Sequence, residues 1–322
     1  MTRPPLDRQL DAAALAALAA LTALTALAAL TVLPLPARAQ ANFDSVKVVA
    51  TKVADGVWML TGSGGNIGLS AGADASLLID DQFAPLTPKI LAAVKAVTPN
   101  PVKFLVNTHW HSDHAGGNEN IGNTGAVIVA HDNVRERLSK GQFIAALKRT
   151  IPAAPSVALP VVTFPDQVEF HLNGETLIAL HVAGAHTDGD VMVKFVHANV
   201  IHAGDVYVRY GFPFIDASSG GSFLGMIPAI EKLLAVTNAS TKYIPGHGAL
   251  ATRSDVVEYL TMLRAIRDRT LAGIRKKQSV EALIAAKPLA DYEAKFDPKP
   301  FVTAGDILTL AYGELRAVRK KK

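Results

Sequence analysis

Within the run His109-Trp110-His111-Ser112-Asp113-His114, four of six residues carry side chains that ligate metals. The apolar stretch Val102–Asn107, bounded by Pro101, reads as a buried strand that ends at this cluster. On extended backbone, residues two apart project to the same side, so His109 and His111 can grip one cation together. If the chain then turns into a helix, Asp113 and His114 face a neighbouring point. A cation held by imidazole and carboxylate acidifies bound water and makes a nucleophile near neutral pH. The chain has no cysteine, which removes disulfides, thiolate ligands and thiol nucleophiles and leaves only nitrogen and oxygen donors.

Three further residues sit in similar settings, each just after an expected strand. His186 lies in Gly184-Ala-His186-Thr-Asp-Gly-Asp190, Asp205 ends Ile201-His-Ala-Gly-Asp205, and His247 lies in Pro245-Gly-His247-Gly248. Taken singly, each reads as a turn residue; the first cluster turns them into ligand candidates. Glycines beside Asp205 and His247 let backbone approach a site closely. Asp80 and Asp81 end a strand and are read as orienting the ligand loop by hydrogen bonding. Trp110, between two ligands, must point away from them into packing. His202 supports the Gly-Asp pair or packs beneath it. Phe212, Pro213, Phe214 and Phe223 line an apolar pocket or form a small local core. His131, His171, His181 and His197 have no motif around them and read as ordinary histidines.

The elements that position these residues alternate between strand and helix patterns. Val57–Thr61, Ile67–Ala71 and Ala75–Asp80 read as strands separated by turns such as Gly62-Ser-Gly-Gly65. Thr87–Val97 reads as a helix with Pro88 in its first turn. Ala126–Ala130 reads as strand, Asp132–Ser139 as helix, and the four-proline segment Ile151–Pro165 as a surface loop. Gln167–His171 and Thr176–Val182, joined around Asn173-Gly174, read as a hairpin. Strands follow at Val191–Val196, Val200–His202 and Lys242–Ile244. Helices follow at Ser222–Val236, at Ser254–Lys277 with Ser254 as N-cap, and at Thr303–Val318. The pattern is α/β: two sheets with helices outside. There is no short-period repeat and no glycine-rich phosphate loop.

Residues 1–39 read as a secretory signal peptide: a polar start with Arg3 and Arg8, an uncharged Ala/Leu/Thr/Val run over 12–33, then Pro34-Leu-Pro36-Ala37-Arg-Ala39. Cleavage is expected after Ala39, which makes 40–322 the working domain, with C-terminal helices from about 254. The apolar run is also long enough to act as a retained anchor. Export implies a periplasmic or secreted protein. The formal charge of +4 owes much to the tail Arg319-Lys-Lys-Lys322, and no basic stripe marks a nucleic-acid surface. The expected partner is a small-molecule substrate, with no stable membrane association once the signal is removed. Oligomeric state is not readable from the sequence, although the helix 254–277 and the final helix are available as a lid or a dimer contact.

In this order, H-x-H-x-D-H, a histidine after a strand, Gly-Asp, and Pro-Gly-His-Gly resemble the metallo-β-lactamase superfamily, above all its glyoxalase II-like and lactonase-like branches. The resemblance spans residues 57–250. It implies a four-layer αβ/βα sandwich with two metals at its edge. His109, His111 and His186 would hold the first metal; Asp113, His114 and His247 would hold the second; Asp205 would bridge them. Large groups of the family's β-lactamases carry Cys or Ser at the position of Asp205, whereas Asp is the residue of its glyoxalase II-like enzymes, lactonases and many phosphodiesterases. There is no added tRNA-positioning module, and no acidic residue replaces His111 as in the flavin-partnered di-iron members.

Nitrogen and oxygen donors suit Zn²⁺, with Fe or Mn as alternatives; the histidine-rich first set favours zinc. The reading is a binuclear zinc hydrolase in which a metal-bound hydroxide, oriented by Asp113 as the catalytic residue, attacks a small molecule's carbonyl. A lactone, thioester or β-lactam is the substrate class. Competing readings are a mononuclear iron dioxygenase of sulfur compounds, a metallo-phosphodiesterase, and a non-catalytic zinc-dependent scaffold. Specificity is expected in the loops 62–66, 141–165 and 207–224.

Overall fold

The computed structural model describes residues 42–296 and 299–320. The expected signal peptide and its cleavage point lie outside the described residues. Four strands open the fold as an antiparallel meander: β1 (Val49–Ala54), β2 (Val57–Thr61), β3 (Ile67–Ala71) and β4 (Ser76–Ile79). After α1 (Thr87–Val97), with Pro88 in its first turn, β5 (Val102–Val106) pairs parallel to β4. The short helices α2 (Ser112–Ala115) and α3 (Asn118–Gly122) lead to β6 (Val127–His131), parallel to β5, and then to α4 (Asp132–Lys140). A small hairpin, β7 (Gln142–Ile144) and β8 (Arg149–Ile151), precedes β9 (Val162–Phe164), which closes a seven-stranded sheet beside β6.

The second sheet has five strands. Its hairpin of β10 (Gln167–Leu172) and β11 (Glu175–His181) turns at Asn173 and Gly174, both at positive φ (58° and 70°), the signature of a type I′ turn. β12 (Val191–Phe195) and β13 (Val200–His202) continue it antiparallel, and β14 (Lys242–Ile244) joins β13 in parallel. The helices are α5 (Phe223–Ala235), α6 (Arg253–Arg275), the short α7 (Val280–Ala285) and α8 (Ala290–Glu293), and α9 (Ala304–Lys320). Among the described residues no helix is long and apolar enough to cross a membrane.

Side-chain alternation sorts the strands into four layers. Leu77, Ile79 and Val106 of the first sheet meet Leu177, Val191, Val193 and Phe195 of the second. Their neighbours face outward: Leu78, Leu105 and Ile128 pack on Ile90 and Val94 of α1. On the far side, Met192, Ile201 and Tyr243 pack on α5, α6 and α9 through Ile230, Leu263 and Ile307. The inner strands are thus apolar on both faces, the pattern of a sheet buried between layers, whereas the edge strands β1 and β10 keep an exposed face. The result is the expected αβ/βα sandwich.

Two expectations need correction. The segment 151–165 is not a loop throughout: β9 lies within it and buries Phe164 at the sheet edge. A three-residue strand between prolines at 160 and 165 is too short to show an alternating pattern, and the edge position tolerates the prolines. The N-cap of α6 is Thr252, not Ser254: Thr252 and Asp255 form a capping box across the first turn. The strand β1 and the β7–β8 hairpin carry no clear sequence signal and are additions.

Candidate metal centre

Every loop that carries a candidate ligand leaves a strand at one edge of the sandwich. β5 delivers His109, and the chain then bends into α2, with His111 as its N-cap residue in an extended conformation. The β11–β12 connection carries His186, the turn after β13 carries Asp205, and the loop after β14 carries His247. Glycines allow these loops to close on one another. A Cβ on Gly65 would lie 2.1 Å from the His114 ring, and one on Gly246 would lie 2.0 Å from Asp205 Oδ1. Asn66 ties the two loops together, donating from its backbone N–H to the Gly246 carbonyl and from its side chain to that of Pro245.

The structure brings all seven sequence candidates together. The ligand atoms of His109, His111 and His186 lie within 4.8 Å of one another; so do those of Asp113, His114 and His247, and those of His109, His114 and Asp205. Asp205 faces both sides: Oδ1 is 3.2 Å from His114 Nε2, and Oδ2 is 3.7 Å from His186 Nε2 and 3.5 Å from His247 Nε2. The histidines of the β5 loop and His186 are buried. Asp113 and His247 form the open side, their side chains 31% and 22% exposed.

Outer hydrogen bonds decide which nitrogen of each imidazole faces inward. The Phe214 carbonyl can only accept, so His186 Nδ1–H donates to it at 2.7 Å and Nε2 keeps a lone pair. Likewise His111 Nε2–H donates to Asp216 Oδ2 at 3.1 Å and leaves Nδ1 as the inward lone pair. Thr108 spends its hydroxyl proton on Asp80, so His109 Nδ1–H donates to Thr108 Oγ1 and Nε2 faces inward. Asp80 also accepts from His114 Nδ1 at 2.7 Å. Asp80 itself sits at φ 65°, a strained conformation for a residue with a Cβ, held by these contacts and by the Thr108 N–H.

This arrangement leaves lone pairs facing each other. His111 Nδ1 is 2.9 Å from His186 Nε2 and 3.1 Å from His109 Nε2, with no proton to place between them. Asp205 Oδ1 is buried and has no hydrogen-bond partner. Such contacts are repulsive unless a cation lies among them. The separations approach the edge of a tetrahedron with Zn–N bonds of about 2.0 Å. The donor set therefore fits a divalent metal of the zinc type.

Electrostatics point the same way. Burial, reinforced by the other imidazoles, holds His109 well below the usual histidine range, and burial drives His186 down to about 4. Both are therefore neutral lone-pair donors. Burial alone would raise Asp113 and Asp205, but neighbouring His114 and His247 overcome it and hold both carboxylates ionised. These carboxylates in turn lift His247 to about 9 against its own burial. Two anions thus demand positive charge at this edge of the cluster, which a cation supplies as well as protons do.

The supporting residues were partly foreseen. Asp80 orients the ligand loop, as read from the sequence. Asp81 holds the same loop: its backbone N–H donates to the His114 carbonyl at 2.8 Å and its Oδ1 accepts from the Gly117 N–H, while its Oδ2 is buried and unpaired. His202 lies below the site, its Nε2 at the Asn66 carbonyl and its Nδ1 accepting from the Gly204 N–H. Trp110 is buried against Ala130, Val134 and Leu138. The aromatic run divides: Phe212 and Phe223 belong to the core, whereas Pro213 and Phe214 line a cavity. Asp216 and Thr108 escaped the sequence reading. Asp216-Ala-Ser-Ser resembles any Asx turn, and nothing local links it to a histidine 105 residues away.

A sequence model described as the metallo-beta-lactamase superfamily matches residues 60–265. The chain belongs to that superfamily. Among curated relatives it is 23% identical to a hydroxyacylglutathione hydrolase of Polaromonas sp., an alignment covering 60% of this chain and 79% of the relative. It is 28% identical to a protein of the same name from Anaeromyxobacter dehalogenans, over 74% and 76% of the two chains. Among solved structures, a metallo-beta-lactamase from Pontibacter korlensis shares the fold with a TM-score of 0.56 and 22% identity, over 68% of this chain and 99% of that one. A sec-alkylsulfatase from Pseudomonas sp. aligns with a TM-score of 0.60 and 16% identity, over 83% of this chain and 50% of that one.

Proposed function

We propose that this member of the superfamily is a binuclear zinc hydrolase acting on the carbonyl of a small molecule, with lactones, thioesters and β-lactams as the substrate classes. The observation that carries this reading is the pair of ligand groups, His109/His111/His186 and Asp113/His114/His247, with Asp205 facing both. The curated relatives, which bear the name of a thioester hydrolase, add support. In this reading residues 1–39 direct export to the periplasm or beyond, and a small-molecule substrate is the main partner.

When bound, zinc lowers the pKa of a coordinated water to roughly 7 and acts as a Lewis acid toward a carbonyl oxygen. The chain's own residues supply the rest. Asp80, Thr108, Asp216 and the Phe214 carbonyl fix the imidazole tautomers before any substrate arrives. Substrate approaches over the open side, where Asp113 lies. Asp113 Oδ2, 3.3 Å from His247 Nε2, orients the attacking water. Water oxygen bonds to the carbonyl carbon as its proton passes to solvent, the bond to the alcohol, thiol or amine breaks, and that group leaves with a proton taken from solvent.

The test is elemental analysis of the purified chain beside a panel of a lactone, a thioester, a β-lactam and a phosphodiester. Two zinc ions per chain with turnover of one carbonyl class supports the reading. One iron per chain, oxygen uptake with a sulfur compound and no hydrolysis would replace it with the dioxygenase. Turnover of the phosphodiester alone would replace it with a phosphodiesterase.

A further inference from the structure

Beside the metal centre lies a cavity of about 430 Å³. The turn between β7 and β8, the loop 213–218 and the start of α9 enclose it. The Ala145 N–H donates to Ser218 Oγ at 3.1 Å and fastens the hairpin to the loop. Leu147, Pro213, Phe214, Phe301, Ile307 and Leu310 supply its apolar walls. Among the described residues no lysine or arginine lines it. Its two acids are already engaged: Asp216 accepts from His111, Ser218 and Ser219, and Asp306 accepts from the N–H and hydroxyl of Thr303.

The cavity borders the ligand cluster across a shared wall at Phe214 and Asp216. The Phe214 ring lies 6.1 Å from that of His111 and 5.9 Å from that of His186. Phe301 is 5.5 Å from Phe214 and 6.1 Å from Tyr210, and Tyr210 is 5.6 Å from His247. An aromatic border therefore runs from one ligand group to the other. Phe301 is 61% exposed at this border, a large apolar side chain in water beside a groove.

We propose that this cavity seats an uncharged apolar group of the substrate, an alkyl or aryl substituent of the scissile carbonyl. The protein thereby selects neutral apolar esters, lactones or thioesters over substrates with a carboxylate tail. This deepens the hydrolytic reading above and rests on it. A cavity of this size falls within the range of small-ligand sites, and its walls are of the apolar kind that bind by area buried. The glutathione tail of a thioester, with two carboxylates and one ammonium, would bring carboxylates to a lining that has, among the described residues, two carboxylates and no lysine or arginine to offset their desolvation.

Two measurements on the full chain with its native metal test this. The first is calorimetric binding of a non-hydrolysable series of alkan-2-ones, from butanone to dodecanone. The second is turnover of neutral 4-nitrophenyl esters from acetate to decanoate, with a glutathione thioester for comparison. Affinity and kcat/KM are expected to rise about fourfold per methylene until the cavity is filled. Leu310→Glu is expected to lower ketone affinity at least about tenfold, and to lower the decanoate-to-acetate ratio likewise. Phe301→Ala, at an exposed position that leaves the core intact, is expected to lower both about threefold to tenfold. Equal binding across the ketones, or a preference for the glutathione thioester, overturns the proposal. Graded ketone binding without any carbonyl turnover keeps the apolar site and removes the hydrolytic reading instead.

Discussion

Asp80 Oδ2 accepts hydrogen bonds from both His114 Nδ1 and Thr108 Oγ1, each at 2.7 Å, so one oxygen sets the orientation of ligands in both metal groups. Through Thr108 it fixes His109; directly it fixes His114. Asp80→Asn would put either an amide NH₂ against two donors or an amide oxygen there with a donor facing the Thr108 N–H. We expect metal affinity to fall about 10- to 100-fold, the usual cost of removing such an orienting partner. Chelator competition on the purified variant measures this. A native far-UV circular dichroism spectrum beside unchanged metal content would refute the role given to Asp80.

Asp216 does for His111 what Asp80 does for His114, but from the opposite sheet's loop. Its Oδ2 accepts from His111 Nε2 and from Ser219 Oγ. Asp216→Ala frees the imidazole to take the other tautomer, which turns its inward nitrogen into an N–H. The expected outcome is loss of metal from the His109/His111/His186 group while the second group keeps its own. The variant should carry about half the wild-type metal by elemental analysis. Equal loss from both groups would mean that Asp205 couples them more strongly than these separate supports do.

How much of this was readable follows from how local each signal is. The H-x-H-x-D-H cluster is contiguous and sits at the end of an apolar strand, so residue type and spacing were enough. The turn residues His186, Asp205 and His247 became legible only in the presence of that cluster. The apolar stretch Val102–Asn107 announced a buried strand. By contrast β9 is three residues long, and its pairing with β6 depends on a partner 33 residues earlier. Asp216 and the Phe214 carbonyl act on histidines far away in sequence. A backbone carbonyl has no residue type to recognise.

Gly65 offers a probe of the centre that leaves donors untouched. Its own φ is not in the left-handed region, so alanine is tolerated by the backbone, yet the added Cβ would meet the His114 ring at 2.1 Å. The ring must move, and its neighbour Asp205 Oδ1 lies only 3.2 Å from Nε2. Gly65→Ala is therefore expected to cost about tenfold or more in activity, since displacements near an ångström at a reacting centre have effects of that order. The thermal midpoint of the metal-free form should change little. A large drop in that midpoint with normal specific activity would place the strain in the fold instead.

His131 and His181 stack with ring centroids 3.6 Å apart at 13° and stand outside the ligand cluster. Burial, then the facing His131, lowers the pKa of His181 below its usual 6.5; Lys232 also lowers it, while Asp166 and the Asp190 carbonyl work the other way. The folded state thus binds fewer protons than the unfolded chain once the pH drops below 6.5, so folding stability declines as the pH falls through that value toward the depressed folded pKa. His181→Gln removes this titration and retains a side chain able to donate toward the Asp190 carbonyl. Urea unfolding of both proteins at pH 5, 6 and 7.5, with chelator present so that metal loss does not contribute, reads the difference. The variant should lose less stability than wild type between pH 7.5 and 5. Parallel losses in the two proteins would show that His181 does not titrate with folding.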